Sequence, residues 1–261
     1  MQPFILLWQN RRMIKQTTIN DIRARYAGSY IGLAWAVLYP VLFLACYATI
    51  YIFVFQMRFQ TMGNAEYVLL IFSGLIPFIG VQEALAYGTG CVVANANLMK
   101  NTLFPIELVP VKTLLATQPT QISGFCLILI SLAIMGKLTP YALLLPVAWI
   151  LQLMFDLGVI WVFSSLNVVF RDLQNIVGIL IIFLMMISPI AYPVEMVPEN
   201  LRIFLGANPL YYMISTYQDI LILGRPPRIA FMGPFIVMAF AVLLFGYYFF
   251  TKMKKVFLDN V

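Results

Sequence analysis

The chain has 261 residues, of which 62% are apolar and only 10% are charged. Soluble globular proteins carry about 25% charged residues, so the composition excludes a water-soluble domain and predicts a membrane protein. The chain has no histidine and no CxxC pair among its three cysteines, which excludes histidine-based metal sites, Ser-His-Asp triads and a disulfide framework.

Residues 1–24 alternate apolar and basic side chains, a pattern typical of a helix that lies in the membrane interface. The apolar members are Phe4, Leu7, Trp8 and Ile14, and the basic members are Arg11, Arg12, Lys15 and Arg23. We therefore expect an interfacial helix before the first membrane span.

Long stretches with at most one charge follow. A helix needs about 20 apolar residues to cross about 30 Å of hydrocarbon. These stretches are continuous and rich in Leu, Ile, Phe and Met, which favours helices over the short alternating strands of a barrel. The predicted spans are 31–56, 67–90, 108–135, 140–166, 174–193 and 229–251. We expect an all-α membrane protein with six transmembrane helices in one domain covering residues 1–261.

Residues 194–228 are too long and apolar for a simple external loop, yet four prolines interrupt them. Two short helices, Leu201–Leu205 and Leu210–Leu223, are predicted to enter the outer leaflet and return. Such backbone is tolerated at membrane depth only where protein covers it or where it lines a water-filled cavity.

Most of the sixteen Lys and Arg residues fall on the side of the membrane that would hold both termini. Cytoplasmic loops carry the excess of basic residues, so both termini are predicted to be cytoplasmic. This asymmetry explains most of the net charge of +6 without a nucleic-acid partner.

Several short motifs occur in order along this topology. They are Asp21-Ile-Arg-Ala-Arg-Tyr26, Ser29-Tyr-Ile-Gly-Leu-Ala-Trp35, Tyr39-Pro40, Phe72-Ser-Gly-Leu-Ile-Pro77, Asn97-Leu-Met-Lys100 with Phe104-Pro105, Phe170-Arg-Asp-Leu173, Ser188-Pro-Ile190 and Asn208-Pro-Leu210. Together they cover almost the whole chain. In this order the chain resembles the permease subunits of bacterial type-2 ABC exporters of O-antigen, capsule or teichoic acid.

The resemblance implies a homodimeric channel in the inner membrane, driven by two copies of a separate ATPase subunit. That machine would move polyprenyl-diphosphate-linked polysaccharide out of the cytoplasm, with the first and fifth spans as channel walls. The sequence contains no GxxxxGK[ST] phosphate loop, so we expect no enzyme activity and no cofactor in this chain. ATP and Mg²⁺ would be bound by the partner.

Three rival functions remain open from the sequence. The same architecture could export a small amphiphilic drug or lipid, although the basic entrance and the tyrosine-rich first span argue mildly against it. A membrane-embedded transferase would need clustered carboxylates, whereas the ten Asp and Glu residues are scattered. A passive channel would leave the cytoplasmic segment 94–107 without a purpose.

Aromatic residues recur at every fourth position of the first span. They are Trp35, Tyr39, Phe43, Tyr47, Tyr51 and Phe55. Because four residues turn a helix by about 400°, this ridge winds around the helix and cannot all face one cavity. Tyr39, Phe43, Tyr47 and Tyr51 are candidate channel residues that would stack on sugar rings. Packing against lipid or other helices remains the alternative.

Arg23 and Arg25 stand just before the first span and match the family motif. A guanidinium binds phosphate oxygens through its planar fork, so both residues are candidates to receive the lipid diphosphate. Ordinary cytoplasmic orientation of the chain would also explain them.

By resemblance, residues 94–107 form a coupling segment that docks on the ATPase. The candidate contacts are an apolar patch of Leu98, Met99, Leu103 and Phe104, with rim charges at Lys100 and Glu107. A helix on the membrane surface without a partner is the alternative.

Two carboxylates inside spans, Glu83 and Asp156, are expected to have structural partners, since buried carboxylates usually face the bundle.

Overall fold

A computed structural model describes residues 8–54, 56, 63–96, 104–192, 198 and 202–260, and its regular structure in these ranges is helical. The helices, in chain order, are α1 (Arg11–Tyr26), α2 (Trp35–Thr49), α3 (Asn64–Gly88), α4 (Cys91–Ala94), α5 (Leu108–Ile134), α6 (Leu145–Val169), α7 (Leu173–Ile187), α8 (Arg202–Ala207), α9 (Pro209–Leu221) and α10 (Ile229–Asn260). A 3-10 turn, Gly32–Ala34, leads into α2, and a π-helical turn, Ile50–Val54, extends it. Another 3-10 turn, Pro140–Leu144, leads into α6.

Five helical segments of the described chain are long and apolar enough to cross a membrane. They are Gly32–Val54, Asn64–Gly88, Leu108–Ile134, Pro140–Val169 and Ile229–Lys254. Each coincides with one of the predicted spans, which confirms a helical protein with several membrane-length segments. The remaining predicted span, 174–193, contains α7, which has only 15 residues. Helix α1 occupies the place of the predicted interfacial helix, and α8 and α9 occupy the places of the two predicted short helices.

Helix α3 lies at the centre of the bundle, and 78% of its most apolar stretch is buried, against 6% for α2. Helices α6 and α10 cross where both have glycine. A Cβ atom on Gly246 would lie 2.2 Å from the carbonyl oxygen of Gly158, so only glycine fits. Small residues at such crossings let two helix backbones approach closely. Membrane helices depend on this close packing because lipid tails are as apolar as the side chains, so the hydrophobic effect does not drive the helices together.

Ion pairs mark the two ends of the bundle. At one end, Lys112 at the start of α5 binds Asp21 of α1 at 2.8 Å. We call this the α1 end. At the other end, the buried carboxylate of Asp219 in α9 binds Arg225 at 2.7 Å and Arg228 at 3.0 Å. We call this the α9 end. The segment 222–228 before α10 is thereby held against α9.

Candidate functional site

A cavity of about 500 Å³ opens at the α1 end between α1, α2 and α3. Its wall combines a cation, a carboxylate, an amide and aromatic rings, a mixture suited to polar ligands with ring faces. The residues that matter below are Arg25, Trp35, Tyr39, Gln82, Glu83 and Tyr87. We call it the Arg25 cavity. An adjoining cavity of about 430 Å³ shares Arg25 and Tyr87 and also touches Asp21 and Asn95.

Arg25 is held inside this cavity by two residues of α3. Its Nη1 atom donates to Oε2 of Glu83 at 3.0 Å, and the two side chains are each 16% exposed. The guanidinium carbon lies 3.9 Å from the centre of the Tyr87 ring, a cation–π arrangement. Glu83 therefore has the structural partner expected from its place inside a span.

Arg23 lies elsewhere. The side chain of Arg23 is exposed, and it is not among the described residues that line the Arg25 cavity. On a helix, residues two positions apart point to different sides. Of the two arginines predicted from the motif, only Arg25 lines the cavity.

Tyr39 connects the Arg25 cavity to the aromatic ridge of α2. Its hydroxyl accepts a hydrogen bond from the Gln82 amide at 3.2 Å. From there the ring centres follow one another at 5.8 Å to Phe43, 5.7 Å to Tyr47 and 5.7 Å to Tyr51. The four rings form a continuous, half-buried ridge about 18 Å long at 1.5 Å per residue. Although every fourth position winds gradually around a helix, neighbouring rings stay in contact from Tyr39 to Tyr51.

The proposed coupling segment is described only in part, since Leu98, Met99, Lys100 and Leu103 lie outside the described residues. Phe104 and Glu107 are buried. Oε1 of Glu107 accepts from Nζ of Lys254 at 2.7 Å, and the Glu107 carbonyl accepts from the Trp161 indole at 3.3 Å. In this conformation Phe104 and Glu107 anchor the segment to the bundle and do not form an exposed patch and rim.

Asp156 belongs to a buried polar cluster between α3, α5, α6 and α9. At its centre Gln152 accepts from Gln121 at 2.7 Å and from the Tyr217 hydroxyl at 2.9 Å, and donates to the Pro77 carbonyl at 3.0 Å. Oδ2 of Asp156 lies 3.4 Å from the Gln152 amide. Gln152 joins these helices and is the structural partner of Asp156, whose other carboxylate oxygen, Oδ1, is buried without a hydrogen-bond partner among the described residues.

Sequence reasoning missed several residues of the site. Gln82 and Tyr87 were not singled out, although Gln82 is polar within a span and Tyr87 stands one helical turn after Glu83. That spacing was a usable signal for a polar face on α3. For metals, no group of three or more potential ligands occurs among the residues that the structure describes.

Comparison with known proteins identifies a family and several relatives whose names state a function. The profile of the family described as "ABC-2 type transporter" matches residues 12–222. The chain is 31% identical over 212 residues to an O-antigen export system permease protein RfbA of Klebsiella pneumoniae, covering 79% of each chain. It is 28% identical over 228 residues to the protein of the same name from Myxococcus xanthus, covering 85% of this chain and 84% of the other. It is also 24% identical over 210 residues to the polysialic acid transport protein KpsM of Escherichia coli, covering 79% of this chain and 80% of that protein.

Proposed function

Because the chain belongs to the ABC-2 type transporter family, we propose that it is the membrane subunit of an ATP-driven polysaccharide exporter. Its cargo is a polyprenyl-diphosphate-linked glycan of O-antigen or capsule type, which it moves out of the cytoplasm across the inner membrane. The names of its relatives, O-antigen export permeases and a polysialic acid transport protein, support this cargo class.

The observation that carries the proposal is the continuity between the Arg25 cavity and the aromatic ridge. Arg25 offers a cation for the diphosphate, and Tyr39 belongs to both features. A hydrophilic polymer needs a lined passage, whereas its lipid tail can stay in the bilayer. Ring faces of Tyr39, Phe43, Tyr47 and Tyr51 bind sugar rings without requiring one sugar sequence.

The path of α7 supports six membrane crossings. Near its start, the Gln174 side chain lies against Gly90 beside the α1 end. Beyond its end, the Ala191 carbonyl accepts from Tyr67 at 2.6 Å, near the start of α3. Helix α7 therefore leads from one end of the bundle to the other, although it has only 15 residues. With six crossings, both termini lie on the same side of the membrane. That side has the excess of basic residues, so it is the cytoplasmic side. Helices α8 and α9 then enter the membrane from the outer side and return to it.

The channel is a homodimer in this proposal. Only 6% of the most apolar stretch of α2 is buried within one chain, although α2 bears the aromatic ridge. The four rings of the ridge pack against the core of their own chain, as the packing alternative expects. The outer face of α2 carries the exposed side chains of Val37, Val41 and Leu42, and a second copy would cover this face. Closed two-fold assemblies are the commonest form of protein oligomer.

Energy comes from two copies of a separate ATPase subunit that binds ATP and Mg²⁺. The segment containing Leu98, Met99 and Lys100 docks on this partner. Phe104 and Glu107 join that segment to the bundle, since Glu107 contacts Lys254 of α10. Five residues later Lys112 holds Asp21 of α1. A displacement of the docked segment thus reaches the helix that carries Arg25.

Reconstitution tests the function directly. The chain and its ATPase are placed in vesicles with the lipid-linked glycan on the ATPase side, and glycan reaching the other side is measured with a glycosidase there. We expect ATP-dependent translocation that disappears without the ATPase. Transport of a fluorescent amphiphile but no glycan would contradict the proposal and indicate a small-molecule exporter.

A further inference from the structure

One buried carboxylate orients both arginines that precede α10. Oδ1 of Asp219 contacts Nε of Arg225 at 2.8 Å and its Nη2 at 2.7 Å. Oδ2 accepts from Nε of Arg228 at 3.0 Å and from the Arg228 backbone N–H at 3.1 Å. Asp219 is fully buried, whereas the side chains of the two arginines are 43% and 44% exposed. We call these three residues the Asp219 cluster.

The Asp219 cluster has a net charge of +1, because two guanidiniums share one carboxylate. The described hydrogen bonds leave Nη1 of Arg225 and both Nη atoms of Arg228 without an acceptor. The ring centre of Phe231 lies 4.1 Å from the guanidinium carbon of Arg228 and helps to fix it. Fixed guanidiniums with free donors are well suited to the oxygens of a phosphate.

An apolar cavity of about 430 Å³ lies beside the segment that carries these arginines. A Cβ atom on Gly224 would lie 2.8 Å from Cγ2 of Thr139, so the chain just before Arg225 contacts the cavity wall. We call it the Thr139 cavity. Its wall consists of Leu129, Leu138, Thr139, Pro140, Ala142 and Leu143. Lys137, next to this wall, is paired with Glu66, so that pair adds no net charge. The cavity is therefore suited to a hydrocarbon chain.

The surface beside both features is apolar and exposed. Ile229, directly after Arg228, is 88% exposed, and Leu143 of the cavity wall is 82% exposed. In a membrane protein such side chains face hydrocarbon, and arginines at their border reach the level of the lipid headgroups. A hydrophilic polymer would leave these side chains in water, so their position favours a lipid as the ligand.

We propose that the Asp219 cluster and the Thr139 cavity together form a binding site for an anionic phospholipid in the leaflet at the α9 end. The phosphodiester binds Arg225 and Arg228, and one acyl chain lies in the cavity. A headgroup with one negative charge, such as phosphatidylglycerol, neutralises the cluster. A zwitterionic headgroup also brings an ammonium group, which the positive cluster repels, so it binds less well. The inference does not depend on which cargo the chain transports.

Photo-cross-linking of the full-length purified chain in detergent tests the inference. The probes are phosphatidylglycerol and phosphatidylcholine, each with a diazirine in one acyl chain, and labelled residues are identified by mass spectrometry after digestion. We expect phosphatidylglycerol to label residues 129–143 about fivefold more than phosphatidylcholine, because one net positive charge favours an anionic lipid by about that factor.

A charge-free variant and a matched control separate this site from general attraction to a basic protein. The triple variant Asp219→Asn, Arg225→Gln and Arg228→Gln leaves no unpaired buried charge. Its labelling by phosphatidylglycerol should fall to the level of phosphatidylcholine. The control, Arg12→Gln with Arg23→Gln, removes two exposed arginines of α1 and should leave the labelling of residues 129–143 unchanged. If the control loses as much labelling as the triple variant, the inference is wrong.

Two further outcomes would overturn the proposal without any variant. Equal labelling of residues 129–143 by both lipids in the unaltered chain would show that the arginines do not select the headgroup. Absence of label from these residues would show that no acyl chain occupies the cavity, for instance because a second copy of the chain covers it. Glycerol phosphate at the concentration of the lipid should not displace the label, and displacement would indicate a site for a soluble phosphate instead.

Discussion

Ser123 of α5 supplies the hydrogen bond that Pro40 removes from α2. In a regular helix the Ala36 carbonyl would accept from the N–H of residue 40, which proline lacks. The Ser123 hydroxyl lies 2.6 Å from that carbonyl and 2.8 Å from the Thr120 carbonyl of its own helix, and its single proton is shared between these two acceptors. Water is absent from the hydrocarbon core, so an unsatisfied carbonyl there is costly. A kink-prone proline in the proposed channel wall is thereby stabilised by a neighbouring span.

Replacing Ser123 with alanine should destabilise the protein by about 1 kcal/mol, because it leaves the Ala36 carbonyl without this donor. Thermal unfolding of the purified chain in detergent measures the effect. Ser131→Ala is the matched control, since its hydroxyl bonds within α5 to the Leu127 carbonyl at 2.9 Å. Adding Pro40→Ala should restore stability to the Ser123 variant by returning the backbone donor. Equal melting of the Ser123 and Ser131 variants would refute this account.

The aromatic ridge should tolerate loss of hydroxyl groups but not loss of rings. Replacing Tyr39, Tyr47 and Tyr51 together with leucine should reduce glycan export by roughly tenfold, the equivalent of about 1.4 kcal/mol of lost ring contacts. The corresponding triple phenylalanine variant should retain most export. Both are measured as surface glycan at matched levels of the chain in the membrane.

Aromatic residues outside the ridge provide the control for that experiment. Phe245, Tyr248 and Phe249 lie on α10, and the first and third stack at 6.1 Å. Their replacement with leucine should leave export unchanged. If the leucine variant of the ridge exports normally, the ridge is a packing feature and the passage lies elsewhere.

The Glu107–Lys254 pair should be needed to anchor the proposed coupling segment. Lys254→Met leaves the buried carboxylate of Glu107 without this partner and should cost about 1–3 kcal/mol of stability. The double variant with Glu107→Gln should recover part of that loss, because no unpaired charge then remains. Lys252→Met, on the same helix, should have little effect. A double variant less stable than Lys254→Met alone would show that the pair does not act as described.

Gly246 should not accept even one additional methyl group. A Cβ atom there would lie 2.2 Å from the Gly158 carbonyl oxygen, and backbone atoms cannot move aside cheaply. Gly246→Ala should destabilise the crossing of α6 and α10 by about 1–3 kcal/mol. Gly178→Ala is the control, because its Cβ atom would meet no atom within 4 Å. The comparison is made by thermal unfolding, and equal stability of the two variants would contradict the observed crossing.

The spans could be predicted from the sequence because apolar length is a local property. The five segments from Gly32–Val54 to Ile229–Lys254 coincide with predicted spans for that reason. Helix α7 shows the limit of this reasoning. The apolar stretch continues after Ile187, but the backbone leaves the helix at Ser188, just before Pro189, as expected for a residue preceding proline.

The partners within the site could not be predicted, because they are distant in sequence. Arg25 and Glu83 are 58 positions apart, and Glu107 and Lys254 are 147 apart. No local sequence pattern connects the two members of either pair. Phe104 illustrates the same problem, since an apolar residue in a short segment has the same sequence pattern whether it contacts a partner or its own chain.

Deletion of the gene for this chain in its own host tests the central claim most directly. The measurement is the location of lipid-linked polysaccharide, with surface glycan and cytoplasmic glycan quantified separately and the plasmid-encoded chain as the complementing control. Our account predicts that polymer accumulates in the cytoplasm while surface glycan disappears, and that complementation restores the surface glycan. Surface glycan that persists at its normal level without the chain would contradict the assignment as a polysaccharide exporter.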